Sequence, residues 1–191
     1  MGLKPLHVSI SAGKYKGKKL SLPSMESTRS TKSILKGSLF DTLQSDIVGE
    51  VFVEVFGGSG SMGLEALSRG AKHAYFIEKD KYAFSVLKSN CQLIDSKSTT
   101  CKQGDSFQLF PLLLKELTCK AFFYFDPPFS IREGMEDIYT KVLQLIADIP
   151  QNKVHLIIIE HMSELILPNN IGIYTLQKTK KFGNSSLSYY M

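Results

Sequence analysis

Strand-like and helix-like segments alternate along this 191-residue chain from residue 31 onward, and that alternation limits the folds open to it. Short apolar runs predict strands at Val51–Phe56, Ala74–Ile77, Thr99–Lys102, Ala121–Phe125 and Val154–Ile159. Helical spacing predicts helices from Thr31 onward and at Ser61–Arg69, Lys81–Ile94, Phe107–Leu117 and Met135–Ala147. This order predicts an α/β fold, in which right-handed crossovers give a mostly parallel sheet with helices on both faces.

Hairpin patterns occur towards both ends of the sequence. Strands are predicted at His7–Ile10 and Lys18–Leu22, and again at Ile171–Lys178 and Leu187–Tyr190. The second pair must bring one antiparallel strand into the sheet. We therefore expect a small N-terminal hairpin or arm at residues 1–30, packed on a main domain at residues 31–191.

Basic residues are concentrated in residues 1–36. This segment contains eight Lys and Arg residues and one acidic residue, Glu26, so its net charge is +7. The whole chain has a net charge of +5, which leaves −2 for the remaining residues. A solvated surface is one interpretation. We favour a phosphate-binding arm, because Tyr15 is interleaved with the lysines and Gly13 and Gly17 allow close backbone approach. The candidate RNA contacts are Lys14, Lys16, Lys18, Lys19, Arg29 and Lys36.

Several other classes of protein and site are not indicated. No apolar run reaches the ~20 residues of a membrane helix. No secretory signal is expected, because no sustained apolar segment follows Lys4 and Pro5. Cys91, Cys101 and Cys119 lack the spacing of metal ligands, so we expect structural thiols and no metal site. We expect a cytoplasmic protein that does not bind membranes.

A glycine-rich loop follows the predicted strand Val51–Phe56 and precedes a helix. Gly58, Gly60 and Gly63 form the pattern G-x-G-x-x-G, which permits a tight turn and close backbone approach to a ligand. No Lys-Ser/Thr pair follows, which excludes a P-loop. The pattern alone does not distinguish a dinucleotide from S-adenosylmethionine.

Carboxylates after the strands support an adenosine-containing ligand. Glu78 lies twenty positions after Gly58, a spacing typical of a carboxylate that binds ribose hydroxyls. Glu54 favours the methyl donor, because a carboxylate suits a cationic ammonium and would repel a pyrophosphate. Asp105 is placed to accept from an adenine amine, although an ordinary turn aspartate is the alternative. The candidate cofactor residues are Glu54, Phe56, Gly58, Gly60, Glu78, Asp105 and Ser106.

The most specific motif directly follows the apolar strand Ala121–Phe125. Its prolines remove backbone donors and stiffen the loop, so the carbonyl oxygens are available as acceptors. Asp126 and the Pro127 carbonyl can accept hydrogens from an exocyclic amine while Phe129 stacks on the ring. Such hydrogen bonds favour a pyramidal nitrogen and help a poor nucleophile attack a methyl sulfonium. The alternative is a purely structural role, in which the two prolines interrupt regular structure and the aspartate caps a helix. The candidate catalytic residues are Asp126, Pro127, Pro128 and Phe129.

Together these motifs resemble the amino-methyltransferase superfamily, and more narrowly the RsmD-type family of bacterial 16S rRNA (guanine-N2)-methyltransferases. The segments that carry this resemblance are Ile10–Leu20, Gly63–Gly70, Phe182-Gly183 and Leu187-Ser188. The resemblance implies a Rossmann-like class I methyltransferase domain with a seven-stranded, mostly parallel sheet and one antiparallel strand. It also implies S-adenosylmethionine as donor and 16S rRNA or a small-subunit assembly intermediate as substrate.

The chain departs from the family pattern at Ser30, Lys36 and Gly37, where Pro, Arg and Glu are usual. Lys36 keeps the charge but loses bidentate phosphate binding. These departures concern RNA contacts and leave the predicted chemistry intact.

Three alternative functions stay open. A DNA adenine-N6 methyltransferase uses a similar loop but generally adds a target-recognition domain, for which the segment between Phe129 and Val154 has no room. A protein or small-molecule amine methyltransferase is disfavoured by the basic arm, and a nonenzymatic RNA-binding module would lack cofactor binding.

Asp126 favours guanine, because an ionised carboxylate accepts from both N1–H and the exocyclic amine. We expect a monomer.

Overall fold

The computed structural model describes residues 6–23, 29–128 and 137–191. The helices are α1 (Arg29–Leu43), α2 (Ser61–Ser68), α3 (Lys81–Ile94), α4 (Ser106–Glu116) and α5 (Ile138–Ala147). The strands are β1 (His7–Ser9), β2 (Lys19–Ser21), β3 (Val51–Glu54), β4 (His73–Glu78), β5 (Thr99–Gln103), β6 (Ala121–Phe125), β7 (Val154–Met162), β8 (Asn170–Ile171), β9 (Tyr174–Phe182) and β10 (Ser185–Tyr190). Within these ranges, no helix has the length and apolar character needed to cross a bilayer.

The large sheet has the strand order β5-β4-β3-β6-β7-β10-β9-β8 among the described residues. Strands β3 to β7 pair in parallel, whereas β10 pairs antiparallel with both β7 and β9. The chain moves outward from β3 to β5 on one side and then from β6 to β7 on the other. The strand order therefore switches between β3 and β6, at whose carboxyl ends open α/β sheets bind ligands.

The predicted α/β alternation and the mostly parallel sheet are confirmed, with one difference at the C-terminal hairpin. The segment predicted as one strand, Ile171–Lys178, is divided into β8 and β9 by a reversal at Gly172, whose φ is +57°. A Cβ atom at Gly172 would also lie 3.1 Å from the backbone of Ala147. The sheet consequently has eight strands instead of seven, and two of them, β8 and β10, oppose the parallel set.

Two hydrophobic layers enclose the sheet, because successive side chains of a strand point to opposite faces. In β3, Phe52 packs in the layer beneath α1, α2 and α3, whereas Val51 and Val53 pack in the layer beneath α4 and α5. All three side chains are buried, and each contributes about 1.5–3 kcal/mol relative to an exposed position. This two-sided burial holds the strand ends in fixed positions.

The N-terminal hairpin is confirmed as an antiparallel pair of β1 and β2. The buried Asn90 side chain on α3 accepts a hydrogen bond from the Ser21 amide at 2.9 Å and donates to the Ser21 carbonyl at 2.9 Å. The Tyr15 amide donates to Ser68 Oγ on α2 at 2.9 Å. The hairpin thus packs on α2 and α3; the domain boundary at residue 30 stays a prediction.

Candidate functional site

A cavity of about 660 Å³ lies at the carboxyl edge of the sheet, where the strand order switches. Residues that follow or end β3, β4, β6 and β7 line it, together with residues of the hairpin and α1. The predicted site residues that line it are Glu54, Phe56, Gly58, Glu78, Asp105, Ser106, Asp126, Pro127 and Pro128. Gly60 is in the adjoining loop, and Phe129 lies outside the described residues.

The glycine loop is tied to β4 through Glu78. The Gly58 amide donates to Glu78 Oε2 at 2.7 Å, and the Asp80 amide donates to Glu78 Oε1 at 2.7 Å. Gly60 has a φ of +76°, and a Cβ atom there would lie 2.5 Å from Leu87 of α3. Only glycine fits this packing, so the loop stays close to the sheet and Glu78 is held at the cavity wall.

Glu54 is a buried carboxyl at the end of β3. The pKa of Glu54 is raised to about 8, mainly by burial; the hydrogen bond from the Gly63 amide opposes this rise, and the charge of Asp126 adds to it. The Gly63 bond is 2.8 Å long and fixes the carboxyl against the glycine loop. A cationic group bound beside Glu54 would favour its ionised form.

Asp105 and Ser106 begin α4 and already have partners in the fold. Asp105 Oδ1 accepts from the Phe107 amide at 2.9 Å, and Oδ2 lies 2.8 Å from Lys79 Nζ; the Lys79 bond is the main reason that the pKa of Asp105 is lowered. The Ser106 hydroxyl donates to the Val55 carbonyl at 2.6 Å. Both side chains therefore stabilise the cavity wall, and Asp105 has the helix-capping role of an ordinary turn aspartate as well as its predicted place beside the ligand.

Asp126 follows β6 directly, as the sequence motif predicts. Its Oδ2 lies 3.7 Å from Nζ of Lys32 on α1, with the Asp126 side chain 24% exposed and that of Lys32 41% exposed. Pro127 is buried and Pro128 is exposed. The partly exposed carboxylate therefore lines the cavity next to a cation, Lys32, that was not among the predicted site residues.

A second feature missing from the sequence prediction is Glu160 in β7. It is fully buried, lines the cavity and accepts a hydrogen bond from the Tyr124 hydroxyl of β6. Burial and the charge of Glu160 raise the pKa of Tyr124 well above its ordinary value. A usable signal existed, since Glu160 follows an apolar run just as Glu54 and Glu78 do. Across the described ranges, no three His, Cys, Asp or Glu side chains are grouped to hold a metal ion.

The basic arm is only partly available at the surface. Lys14, Lys16, Lys18 and Lys19 are exposed on the hairpin, and Arg29 begins α1. Lys36 requires a correction: it is 3% exposed, donates to the Ser9 carbonyl at 2.9 Å and lies 3.1 Å from Glu65. This buried ion pair removes Lys36 from the candidate RNA contacts.

Comparison with known proteins places this geometry in a family. Residues 8–191 match the family described as Conserved hypothetical protein 95. The Haemophilus influenzae protein named Ribosomal RNA small subunit methyltransferase D is 31% identical over 96% of this chain and 93% of its own length. Its Escherichia coli K12 namesake is 28% identical over 96% of this chain and 89% of its own length.

The solved structure of the Escherichia coli protein yhhF is similar to this chain throughout. Its TM-score is 0.74 with 26% identity, over 96% of this chain and 97% of yhhF. The resemblance inferred from the glycine loop and the Asp126 motif is thereby confirmed. The chain belongs to the Conserved hypothetical protein 95 family, that of the RsmD-type proteins.

Proposed function

We propose that this protein transfers a methyl group from S-adenosylmethionine to the exocyclic N2 amine of a guanine in 16S rRNA. The observation that carries the proposal is the position of Asp126 and Pro127 in the same cavity as Glu78 and the glycine loop. One cavity therefore combines acceptors for an amine with a site suited to an adenosine. Relatives named Ribosomal RNA small subunit methyltransferase D support the choice of rRNA.

The residues that line the cavity suit S-adenosylmethionine in charge and polarity. Glu78 is aligned by two backbone amides, and its oxygens can accept further hydrogen bonds from ribose hydroxyls. Glu54 would face the cationic ammonium, and Phe56 with Phe107, whose ring centroids are 5.9 Å apart, offers an apolar aromatic wall. When bound, this cofactor supplies an electrophilic methyl group on a sulfonium.

Asp126 and Pro127 would hold and orient the amine that is methylated. The amine lone pair is delocalised into the base, so hydrogen bonds that favour a pyramidal nitrogen increase its nucleophilicity. In this proposal Asp126 accepts one amine hydrogen, and the Pro127 carbonyl accepts the other. Positioning and electrostatics thus supply the catalysis, with no covalent intermediate on the protein.

Asp126 also favours guanine over adenine. Guanine presents N1–H next to its exocyclic amine, and an ionised carboxylate can accept from both. Adenine presents an acceptor nitrogen next to its amine, for which an asparagine is better suited. The proposal includes 16S rRNA or a small-subunit assembly intermediate as partner, a monomeric protein, and a cytoplasmic location that follows from that substrate.

The proposal is tested by identifying the methylated nucleoside. Free 16S rRNA and small subunits from a strain lacking the gene would be incubated with the protein and S-adenosylmethionine, digested and analysed by mass spectrometry. We expect N2-methylguanosine in at least one substrate. N6-methyladenosine as sole product would overturn the guanine assignment, and its formation on duplex DNA would favour the adenine alternative.

Glu78→Ala should weaken cofactor binding. The variant loses charge-assisted hydrogen bonds worth about 1.5–3 kcal/mol and also releases the Gly58 amide from its partner. Calorimetry with S-adenosylhomocysteine should show wild-type binding on a micromolar scale, about 8 kcal/mol, and weaker binding by the variant. Glu116→Ala is a matched control, because Glu116 is exposed and pairs with Lys102 away from the cavity. Tight NAD binding without a response to S-adenosylhomocysteine would overturn the cofactor assignment.

Replacement of three hairpin lysines should make RNA binding less sensitive to salt. The slope of log affinity against log salt should become shallower by about 0.7–0.9 for each phosphate that Lys16, Lys18 and Lys19 no longer bind. Cofactor affinity should stay unchanged. Titrations at several salt concentrations would compare Lys16/Lys18/Lys19→Ala with a control triple on exposed lysines near the amino ends of the strands, Lys72, Lys115 and Lys120. If the hairpin variant kept the wild-type slope, the arm would be a solvated surface that does not bind phosphates.

A further inference from the structure

The cavity extends beyond the region suited to a cofactor. The hairpin contributes His7 and Leu22 to its lining, and α1 contributes Lys32 and Ser33. Asp126 lines the same cavity, with its Oδ2 3.7 Å from Nζ of Lys32 on α1. The part of the cavity bounded by the hairpin and α1 is therefore the place for the group that Asp126 binds.

Among the described residues, the lysines that line the cavity are Lys32, Lys36 and Lys79. Lys36 lies 2.9 Å from the Ser9 carbonyl, and Lys79 lies 2.8 Å from Asp105, so both make direct hydrogen bonds to the cavity wall. Lys32 lies beside Asp126, with its Nζ 3.7 Å from Asp126 Oδ2, and both side chains are partly exposed. An ammonium has three donors and a carboxylate has several acceptor positions, so a bound polar edge can engage both groups in addition to the contacts that they already make.

The edge of guanine has the matching sequence of groups. O6 is an acceptor, N1–H beside it is a donor, and the exocyclic N2 amine follows. Resting on the function proposed above, we infer that Lys32 determines specificity by donating a hydrogen bond to O6 while Asp126 accepts from N1–H. Adenine in the same orientation would present its amine to the ammonium, so that donor faces donor. Buried or half-buried polar groups left mismatched are an effective basis for rejecting the wrong base.

The charge of the cavity supports this assignment. The carboxyl groups of Glu54, Asp126 and Glu160 all line it, and a base carrying the partly negative O6 would meet little attraction from them. Lys32 supplies positive charge at the point where Asp126 contacts the base. The Lys32 side chain is 41% exposed, so it can adjust to the bound base.

Lys32→Met removes the donor and keeps the length of the side chain. We expect kcat/KM for methylation of 16S rRNA to fall about 10- to 100-fold, the range for one charge-assisted hydrogen bond. Lys32→Arg should retain most of the activity, because it still donates. Affinity for S-adenosylhomocysteine should stay within about twofold of wild type, as should the activity of the control Lys115→Met, a substitution on the exposed face of α4.

A substrate analogue makes the test specific for O6. In 16S rRNA transcribed with 6-thioguanosine, sulfur replaces O6 and is a poorer acceptor, while N1–H and the N2 amine remain. Any effect of sulfur on RNA folding acts equally on both enzymes, so the comparison is a mutant cycle between Lys32 and O6. Wild type should prefer the oxygen-containing RNA by about tenfold more than Lys32→Met does. Equal discrimination by the two enzymes would overturn the role of Lys32.

The outcomes separate this inference from the proposed function. If wild type forms no methylated guanosine on either RNA, the proposed function fails. If wild type forms N2-methylguanosine and Lys32→Met matches it in kcat/KM, only the role of Lys32 fails. A variant that loses S-adenosylhomocysteine binding together with activity would show a structural effect and would likewise overturn the role.

Discussion

Asp126→Ala should abolish methyl transfer, a loss of at least about 10²–10³-fold in kcat, while cofactor binding is retained. The substitution removes the acceptor for the amine and for N1–H from the end of β6. Asp126 lies opposite Lys32 and apart from the hydrogen bonds that hold Glu78 to the glycine loop, so those bonds should survive. Single-turnover assays on RNA, combined with calorimetry on S-adenosylhomocysteine, would measure both effects.

Asp126→Asn tests whether charge and acceptor capacity matter beyond size. The amide places one donor where the carboxylate has only acceptors, so it would clash with either N1–H or the amine and lose most of the activity. Asp148→Asn is the matched control, since Asp148 is exposed at the end of α5. An Asp126→Asn variant with wild-type activity on guanine would contradict the proposed recognition of the base.

The site is predictable from sequence where its chemistry follows a strand directly. Glu54, Glu78 and Asp126 each end or follow an apolar run, and parallel strands bring their carboxyl ends to one edge. The same rule identifies Glu160, although no glycine or proline motif beside that carboxylate marks it as part of a site. Placement in a cavity thus follows from topology, whereas the partner of each carboxylate does not.

Local sequence patterns do not predict which side chains form pairs across distant parts of the fold. Lys36 has the same helical spacing and charge as a surface lysine, yet it is buried against Glu65, itself on another helix. Asp105 shows the related limit, because one carboxylate can cap a helix and line a cavity at once. In both cases the deciding information is the packing of distant elements.

Gly172 illustrates the same limit in the fold. Its positive φ and its close approach to Ala147 divide the predicted strand Ile171–Lys178, but a single glycine in an apolar stretch equally predicts a bulge or a close contact. Predicting an eight-stranded sheet would have required knowing what packs against Gly172. By contrast, the five parallel strands and their alternation with helices could be predicted from the periodicity of apolar residues alone.

Glu65→Ala should destabilise the fold by about 3–5 kcal/mol, because it leaves the buried cation of Lys36 without its carboxylate. Glu65 is fully buried on α2 and accepts from the Ser11 amide at 2.8 Å, the Ser11 hydroxyl at 2.6 Å and Arg69 Nε at 2.9 Å. The Ser11 hydrogen bonds join the hairpin to α2, and the ion pair with Lys36 joins α1 to α2. Urea unfolding at neutral pH would measure the destabilisation, with Glu116→Ala, an exposed member of an ion pair, expected to cost less than about 1 kcal/mol.

The pH dependence of this difference follows from the ionisation of Glu65. Burial alone would raise the pKa of Glu65, but Lys36, Ser11 and Arg69 outweigh it, and the pKa is lowered from its ordinary value of 4.5. A carboxyl with a lowered folded-state pKa contributes its full stability above 4.5 and loses it as the pH falls through the folded value. The gap in unfolding free energy between wild type and Glu65→Ala should therefore be constant near neutral pH and narrow in acid. A gap that widened as the pH fell would mean that Glu65 is protonated in the folded protein, and an ion pair with Lys36 would then not be what stabilises the contact between α1 and α2.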